Sequence, residues 1–171
     1  MSNQITLRNI EAADCQIISD AFKAQGSYDK PIELYQRYLD YQYKKQRDII
    51  IATEKKEFAG YLTINWRPDY KPFLENDIPE ISDFNVMQKF QRKGIGTKLV
   101  DEAERRISKS FKLAGIGFGV FEDYGPAQIL YIKRGYIPLG TGIVKDGESL
   151  KFGDTVTIDH SLAIYLIKKL R

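Results

Sequence analysis

Apolar positions along the chain recur with two periods. "ITLRNI" alternates as a strand does, and "EAADCQIISDAFKAQG" then spaces its apolar residues as a helix does, with Gly26 at its end. Pro31 opens a second helical stretch, "PIELYQRYLDYQYKKQ", with Leu34, Tyr35, Tyr38 and Leu39 at helical spacing. "RDIIIATE" predicts a buried strand, "KKEF" a turn, and "AGYLTINW" a strand returning beside the first. "RPDYKPFLEND" reads as a loop and "IPEISDFNVM" as a strand. "GIGTKLVDEAERRISKS" predicts a helix with Leu99, Ala103 and Ile107 along one face and Val100 beside them. A glycine-bearing strand, "FKLAGIGFGVF", precedes a short helix, "GPAQILYIKRG", with proline in its first turn. "YIPLGTGIV" and "HSLAIYLIKKL" close the chain as strands around the polar loop "KDGESLKFGD". The order β-α-α-β-β-β-α-β-α-β-β predicts an α/β (α+β) fold, with residues 1–171 as a single domain. About seven strands form a mixed, mostly antiparallel sheet flanked by about four helices.

Composition narrows the function classes. The 171 residues are 43% hydrophobic and 29% charged, as in a soluble globular domain. Net charge is +3, from 26 basic and 23 acidic residues, too small and too evenly spread to favour nucleic acid. The first twenty residues lack a basic start followed by an apolar run, so no signal peptide is expected. No segment approaches the ~18 apolar residues of a membrane span. The lone Cys15 allows no internal disulfide and fits a reducing cytoplasm, and with the lone His160 it supports no metal site.

The stretch "NVMQKFQRKGIGTKLVDEAERRI" asks for a chemical reason. It sets Gln91, Arg92, Lys93, Gly94 and Gly96 where a helix begins, although glycine costs backbone entropy. A helix start offers unpaired N–H groups and the positive end of the helix dipole, a natural anion site. Glycines let those groups approach an oxyanion, and Arg92, Lys93 and Lys98 add charge. A Walker loop fails, because the order is Gly96-Thr97-Lys98 and the position five before Gly96 is Gln91. A dinucleotide fingerprint fails, because Leu99 stands where a third glycine belongs. What remains is Gln-x-x-Gly-x-Gly between a strand and a helix.

That pattern, "QRKGIG", resembles motif A of the GNAT superfamily of acyl-CoA-dependent N-acetyltransferases. Downstream, "AQILYIKRGY" resembles the family's A-x-x-L-Y-x-x-x-G-F/Y segment, with Ala127, Leu130, Tyr131, Gly135 and Tyr136 in place. The resemblance implies acetyl-CoA, or another acyl-CoA, as cofactor, and a sheet splayed at its centre. The pyrophosphate would lie on the backbone of Gln91, Arg92, Lys93, Gly94, Ile95, Gly96 and Thr97. The pantetheine arm would meet Phe84, Asn85 and Val86, where a β-bulge would free ladder groups. The glycines Gly115, Gly117 and Gly119 would allow close approach on the opposite wall, or merely accommodate neighbouring helices. Two departures stand out. Tyr124 replaces a frequent asparagine three residues before Ala127, so that contact is either lost or supplied otherwise, as by the backbone at Gly125, and Gln88 stands where a proline is frequent.

Acyl transfer to an amine needs a base, because an alkylammonium of pKa ~10.4 has no free lone pair. It also needs a donor at the carbonyl and a proton for the leaving thiolate. Glu80, eleven residues before Gln91, matches the position of the family's glutamate base, and its apolar setting in "IPEI" should raise its pKa. Strand alternation puts Glu80, Ser82, Phe84 and Val86 on one face and Asp83, the alternative base, on the other, although a bulge would change the phase beyond it. The alternatives for Glu80 are an exposed carboxylate at a strand start and a place in the acceptor pocket. Tyr131 matches the family tyrosine near the CoA sulfur and is the candidate acid.

For the acceptor, Tyr28, Trp66, Tyr70 and Phe73 lie near Asp29, Glu75, Asp77 and Glu80, with Asp83 on the following strand. Aromatics beside carboxylates suit a cationic amine. Candidate substrate contacts are Tyr28, Trp66, Tyr70, Glu75 and Asp83. Polyamine, aminoglycoside, amino-acid and peptide acceptors stay open, as do acyl groups longer than acetyl. Tyrosine-rich helices and the closing hairpin suggest a homodimer. The alternative function is a non-catalytic acyl-CoA-binding regulatory module of the same fold, against which the presence of both Glu80 and Tyr131 argues.

Overall fold

In the computed structural model, which describes residues 5–27 and 30–171, the elements run as follows. They are β1 (Ile5–Asn9), α1 (Asp14–Gln25), α2 (Ile32–Tyr43), β2 (Arg47–Glu54), β3 (Glu57–Asn65), α3 (Lys71–Glu75) and β4 (Glu80–Val86). Then come α4 (Ile95–Ile107), β5 (Leu113–Gly119), α5 (Gly125–Lys133), β6 (Ile137–Lys145), β7 (Glu148–Ser149) and β8 (Leu162–Lys169). The strand order is β1-β2-β3-β4-β5-β8-β6-β7. The sheet is mixed: β4 and β5 are parallel, and the other described pairings are antiparallel. None of the described helices is long and apolar enough to cross a membrane.

Among the described residues, eight strands and five α-helices stand where about seven and four are expected. The additions are short. Two residues of β7 and five of α3, the latter inside the stretch read as a loop, are too few to print a period on the sequence.

The chain forms two compact units, Met1–Trp66 with Ser82–Arg106, and Arg67–Ile81 with Ile107–Arg171. In the first unit, β1 to β3 form an antiparallel meander. The β2–β3 turn is tight, with Lys55 at φ 51° and Lys56 at φ 69°, the handedness that two-residue hairpins favour. α1 ends at Gly26, whose φ of 70° is the left-handed cap that the sequence predicts. The helices cover both faces. Phe22 of α1 and Tyr35 of α2 meet the buried Tyr61 of β3 edge-on, at 6.1 and 5.7 Å between ring centroids. On the other face, Arg106 of α4 binds Asp48, whose β3 partner is Ile64, one residue out of phase with Tyr61. Leu99, Val100, Ala103 and Ile107 of α4 are fully buried, as their helical spacing predicts.

In the second unit, β5 carries two different faces. Ala114, Ile116 and Phe118 are buried side chains on one of them. On the other, Gly115, Gly117 and Gly119 leave room that aromatic rings fill. A Cβ at Gly115 would stand 2.5 Å from the ring of Phe73, one at Gly117 3.0 Å from Tyr165, and one at Gly119 2.4 Å from Tyr124. Tyr70 stacks on Tyr165 with centroids 3.7 Å apart and meets Phe73 edge-on at 5.2 Å. Phe73 is wholly buried, so it has nowhere to retreat. Gly115→Ala should therefore destabilise the protein by about 1–3 kcal/mol, the usual cost of overpacking, seen as a lower denaturant midpoint with unchanged slope.

Candidate active site

The glycine turn, in the first unit, has the geometry of an anion cradle. Arg92 takes φ 60° and Gly94 φ 80°, so left-handed residues flank Lys93, and such alternation turns successive N–H groups toward one concavity. The Lys98 N–H donates to the Gly94 carbonyl at 3.1 Å. The N–H groups of Ile95, Gly96 and Thr97 therefore have no carbonyl to meet within the helix. The Gln91 amide donates to the Val86 carbonyl at 3.2 Å and ties the turn to the end of β4. These features fit a pyrophosphate.

The two glycines do different work. Gly94 has open space around its missing Cβ and is needed for its φ. Gly96 is needed for room, because a Cβ there would stand 3.0 Å from the ring of Phe84 and 3.7 Å from Val86. Gly96→Glu would also set a carboxylate where the anion binds. Titration calorimetry should show micromolar acetyl-CoA binding by the wild type, weakened about tenfold or more in this variant by charge opposition at the helix start.

The three basic residues of the turn are not equivalent. Arg92 and Lys98 are exposed. Lys93 is held by Glu54 of β2, with Nζ 3.0 Å from Oε2, and stands 4.9 Å over the Phe90 ring. Glu54 is buried, and its Oε1 has no hydrogen-bond partner among the described residues. Lys93 thus neutralises a buried carboxylate, a role its sequence position does not reveal.

β4 is interrupted at Asp83, whose φ of 44° is left-handed. Ser82 reaches Thr63, at 3.0 Å between hydroxyls, while Asp83 reaches the Tyr61 hydroxyl at 2.6 Å. Thr63 and Tyr61 are two apart on β3, so consecutive residues of β4 project to the same face, the mark of a bulge. Phe84 and Val86 project instead toward Gly96 of α4. The expected common face of Glu80, Ser82, Phe84 and Val86 is therefore corrected. The bulge reverses the phase, and Asp83 shares a face with Ser82. Gly60 of β3 accommodates the kink, since a Cβ there would stand 2.5 Å from the Asn85 carbonyl oxygen.

Asp83 does not stand ready as a base. Lys30 Nζ lies 2.7 Å from Oδ1, the Tyr38 hydroxyl 2.9 Å from Oδ2, and the Asn85 amide 2.9 Å from Oδ1. Burial pushes its carboxyl up. The Lys30 ammonium, by charge and hydrogen bond, and the Tyr61 and Tyr38 hydroxyls more than offset this, and the net direction is down. The stability this group contributes is present above the ordinary carboxylate pKa of ~3.9 and is lost as pH falls through the lowered value.

In the second unit, Glu80 is half-buried at the first position of β4, with Gly115 as its β5 partner. Its charge, after burial, helps push the Tyr165 phenol up to about 12. Glu80 thus faces the Tyr165 side of β5. Tyr131 of α5 is buried on the opposite side, stacked on Phe118 at 6.4 Å and edge-on to Tyr136 at 6.1 Å. Burial, then the neighbouring Tyr124, pushes its phenol well above the ordinary value.

The remaining sequence candidates lie as follows. Gly125 opens α5, and Ala127 is half-buried in its first turn. Tyr124 covers Gly119, and its hydroxyl lies 3.3 Å from His160 Nδ1. Tyr70 is buried, with its hydroxyl 3.0 Å from Thr141 Oγ1, so it is a core ring rather than an exposed acceptor contact. Trp66 donates to Asp48 at 3.0 Å, on the α4 side of the first unit. Glu75 is exposed. Tyr28 and Asp29 lie outside the described residues. Sequence reasoning did not single out Lys30, Tyr61, Glu54 or Tyr165. Tyr38 was legible only as a helical core position.

The sequence model of the acetyltransferase (GNAT) family matches residues 15–136. The chain belongs to this family and is a GNAT-type acyltransferase. No curated protein sequence matches it. Among solved structures, it is similar to a putative GNAT acetyltransferase from Desulfovibrio desulfuricans, with TM-score 0.72 and 16% identity over 98% of this chain and 99% of that one. It is also similar to yncA, a putative acetyltransferase from Salmonella typhimurium solved with its cofactor acetyl-CoA. There the TM-score is 0.67 and the identity 18%, over 99% of this chain and 95% of that one. A third is the spermidine/spermine N-acetyltransferase SpeG from Vibrio cholerae, with TM-score 0.67 and 14% identity over 98% of this chain and 93% of that one.

Proposed function

We propose that the chain transfers the acetyl group of acetyl-CoA to a primary amine of a cationic small molecule or peptide. The amine attacks directly in a ternary complex, with Glu80 as general base and Tyr131 as general acid. The observation that carries this reading is the cradle at the start of α4, with left-handed Arg92 and Gly94 and the open N–H groups of Ile95, Gly96 and Thr97. When bound, acetyl-CoA supplies an acetyl group activated as a thioester.

Residues Gln91 to Thr97 hold the pyrophosphate, and the backbone of Phe84, Asn85 and Val86 holds the pantetheine arm. Glu80 removes the ammonium proton, so that a neutral amine attacks, and Tyr131 gives its proton to the sulfur as the C–S bond breaks. Entering amine and leaving sulfur occupy different sides of the reacting carbon. Glu80 must come within hydrogen-bond reach of the nitrogen and Tyr131 within reach of the sulfur. A cytoplasmic location and a homodimer belong to the same proposal. Light scattering in solution reads the dimer, and a monomer would remove it.

The yncA and SpeG similarities support the cofactor and an amine acceptor. The test is a panel of mono- and diamines incubated with acetyl-CoA, with acetylated product read by mass. The expected result is product with the cationic diamines, and absence of product from every amine would overturn the reading.

A further inference from the structure

The first unit contains a finished site for a primary ammonium ion, and the ion in it is the chain's own. Lys30 Nζ donates to Asp83 Oδ1 and to the Tyr61 hydroxyl, both at 2.7 Å. It stands 5.0 Å from the centroid of the Phe22 ring and 5.2 Å from that of Tyr61. The Tyr61 and Tyr38 hydroxyls hold Asp83 Oδ2 at 2.6 and 2.9 Å. The side chains of Lys30 and Asp83 are only 15% and 22% exposed, so the pair is largely dehydrated but keeps an opening.

Three features go beyond a brace for the fold. A brace needs only opposite charge, whereas two aromatic faces beside the carboxylate recognise an ammonium as such. Asp83 also takes a left-handed backbone, φ 44°, which a non-glycine residue keeps only when its surroundings over-determine it. The occupant, moreover, reaches in from the connection between α1 and α2, not from a helix or strand. Its carbonyl accepts a hydrogen bond from Ser19 Oγ at 3.0 Å.

We propose that the Phe22–Tyr38–Tyr61–Asp83 cage binds an ammonium of the acceptor, and that Lys30 is its resting occupant, displaced when the acceptor binds. The proposal rests on the reading that the chain acetylates a cationic amine. It also names the acceptor class. A dehydrated cage closed by a carboxylate of lowered pKa stabilises the charged form of an amine, whereas the reacting amine must be neutral. The cage therefore holds a spectator charge, and the acceptor is a diamine or polyamine.

The experiment measures Lys30→Ala by thermal melting with n-butylammonium, and with n-butanol as the neutral match. The variant leaves Asp83 buried without its counter-ion and should melt roughly 10 °C lower. n-Butylammonium should restore several degrees, saturably, by binding only the folded form. n-Butanol should not, and Asp83→Asn in the same chain should abolish the response. No recovery, or equal recovery with the alcohol, overturns the cage. The wild-type chain supplies a second measurement that does not depend on the variant folding. Diaminobutane should shift the Lys30 Nζ resonance saturably toward that of a solvent-exposed lysine, and an unmoved resonance overturns the displacement. Displacement in a chain that acetylates no amine would overturn the functional reading and leave the cage standing. Acetylation of diaminobutane without displacement would do the reverse.

Discussion

Tyr131→Phe lowers kcat by about 10²-fold, within the range of a lost general acid, with little change in acetyl-CoA affinity. The substitution keeps the ring that stacks on Phe118 and meets Tyr136 edge-on, so the fold is retained. It removes the only group on that ring able to protonate sulfur. Burial holds the phenol protonated far above neutral pH, so the donor is present across the working range. A thiolate, with an ordinary pKa of ~8.5, is a weaker base than this phenolate even when fully charged, so the phenol acts first as a hydrogen-bond donor to the charge developing on sulfur, and the proton follows only as the C–S bond breaks. Rapid-quench kinetics must first establish that chemistry limits kcat. Unchanged kcat under that condition would return Tyr131 to the core, where its burial alone would place it.

Glu80→Gln slows turnover about 10²-fold near pH 7, and the loss shrinks as pH rises. Glutamine keeps the shape at the first position of β4 and cannot take a proton. At high pH the acceptor amine loses its proton unaided, so the base matters less. In the wild type the rate rises with pH through the lower limb, because Glu80 must be ionised to act. Asp83 cannot substitute, since its carboxylate is held by the Tyr38 and Tyr61 hydroxyls and paired with an ammonium, that of Lys30 at rest. A change confined to KM, equal at every pH where the amine is charged, would make Glu80 an acceptor anchor and not a base.

How much of this was written in the sequence depends on the range of the interaction. The Gly26 cap, the amphipathic α4 and the turn before it were legible because each is fixed by residues within one or two helical turns. The bulge at Asp83 was anticipated as a possibility. Its position was not legible, because what holds a left-handed aspartate is Lys30, Tyr38 and Tyr61, up to 53 residues away. The same limit governs the glycines of β5. Their spacing is plain in "AGIGFG", but their occupants, Phe73, Tyr124 and Tyr165, arrive from three separate segments. Lys93 read as a phosphate ligand because the strand that delivers Glu54 lies 39 residues earlier.

The central claim is direct acetyl transfer from acetyl-CoA to an amine, and the initial rate of free-thiol release with both substrates varied tests it most directly. The account predicts no appreciable thiol without an amine, saturation in each substrate, and reciprocal plots that intersect, as a ternary complex requires. Thiol released in a burst without amine, with parallel plots, would mean that the acetyl group first moves to the protein. Absence of amine-dependent thiol release across cationic mono- and diamines would contradict the account altogether.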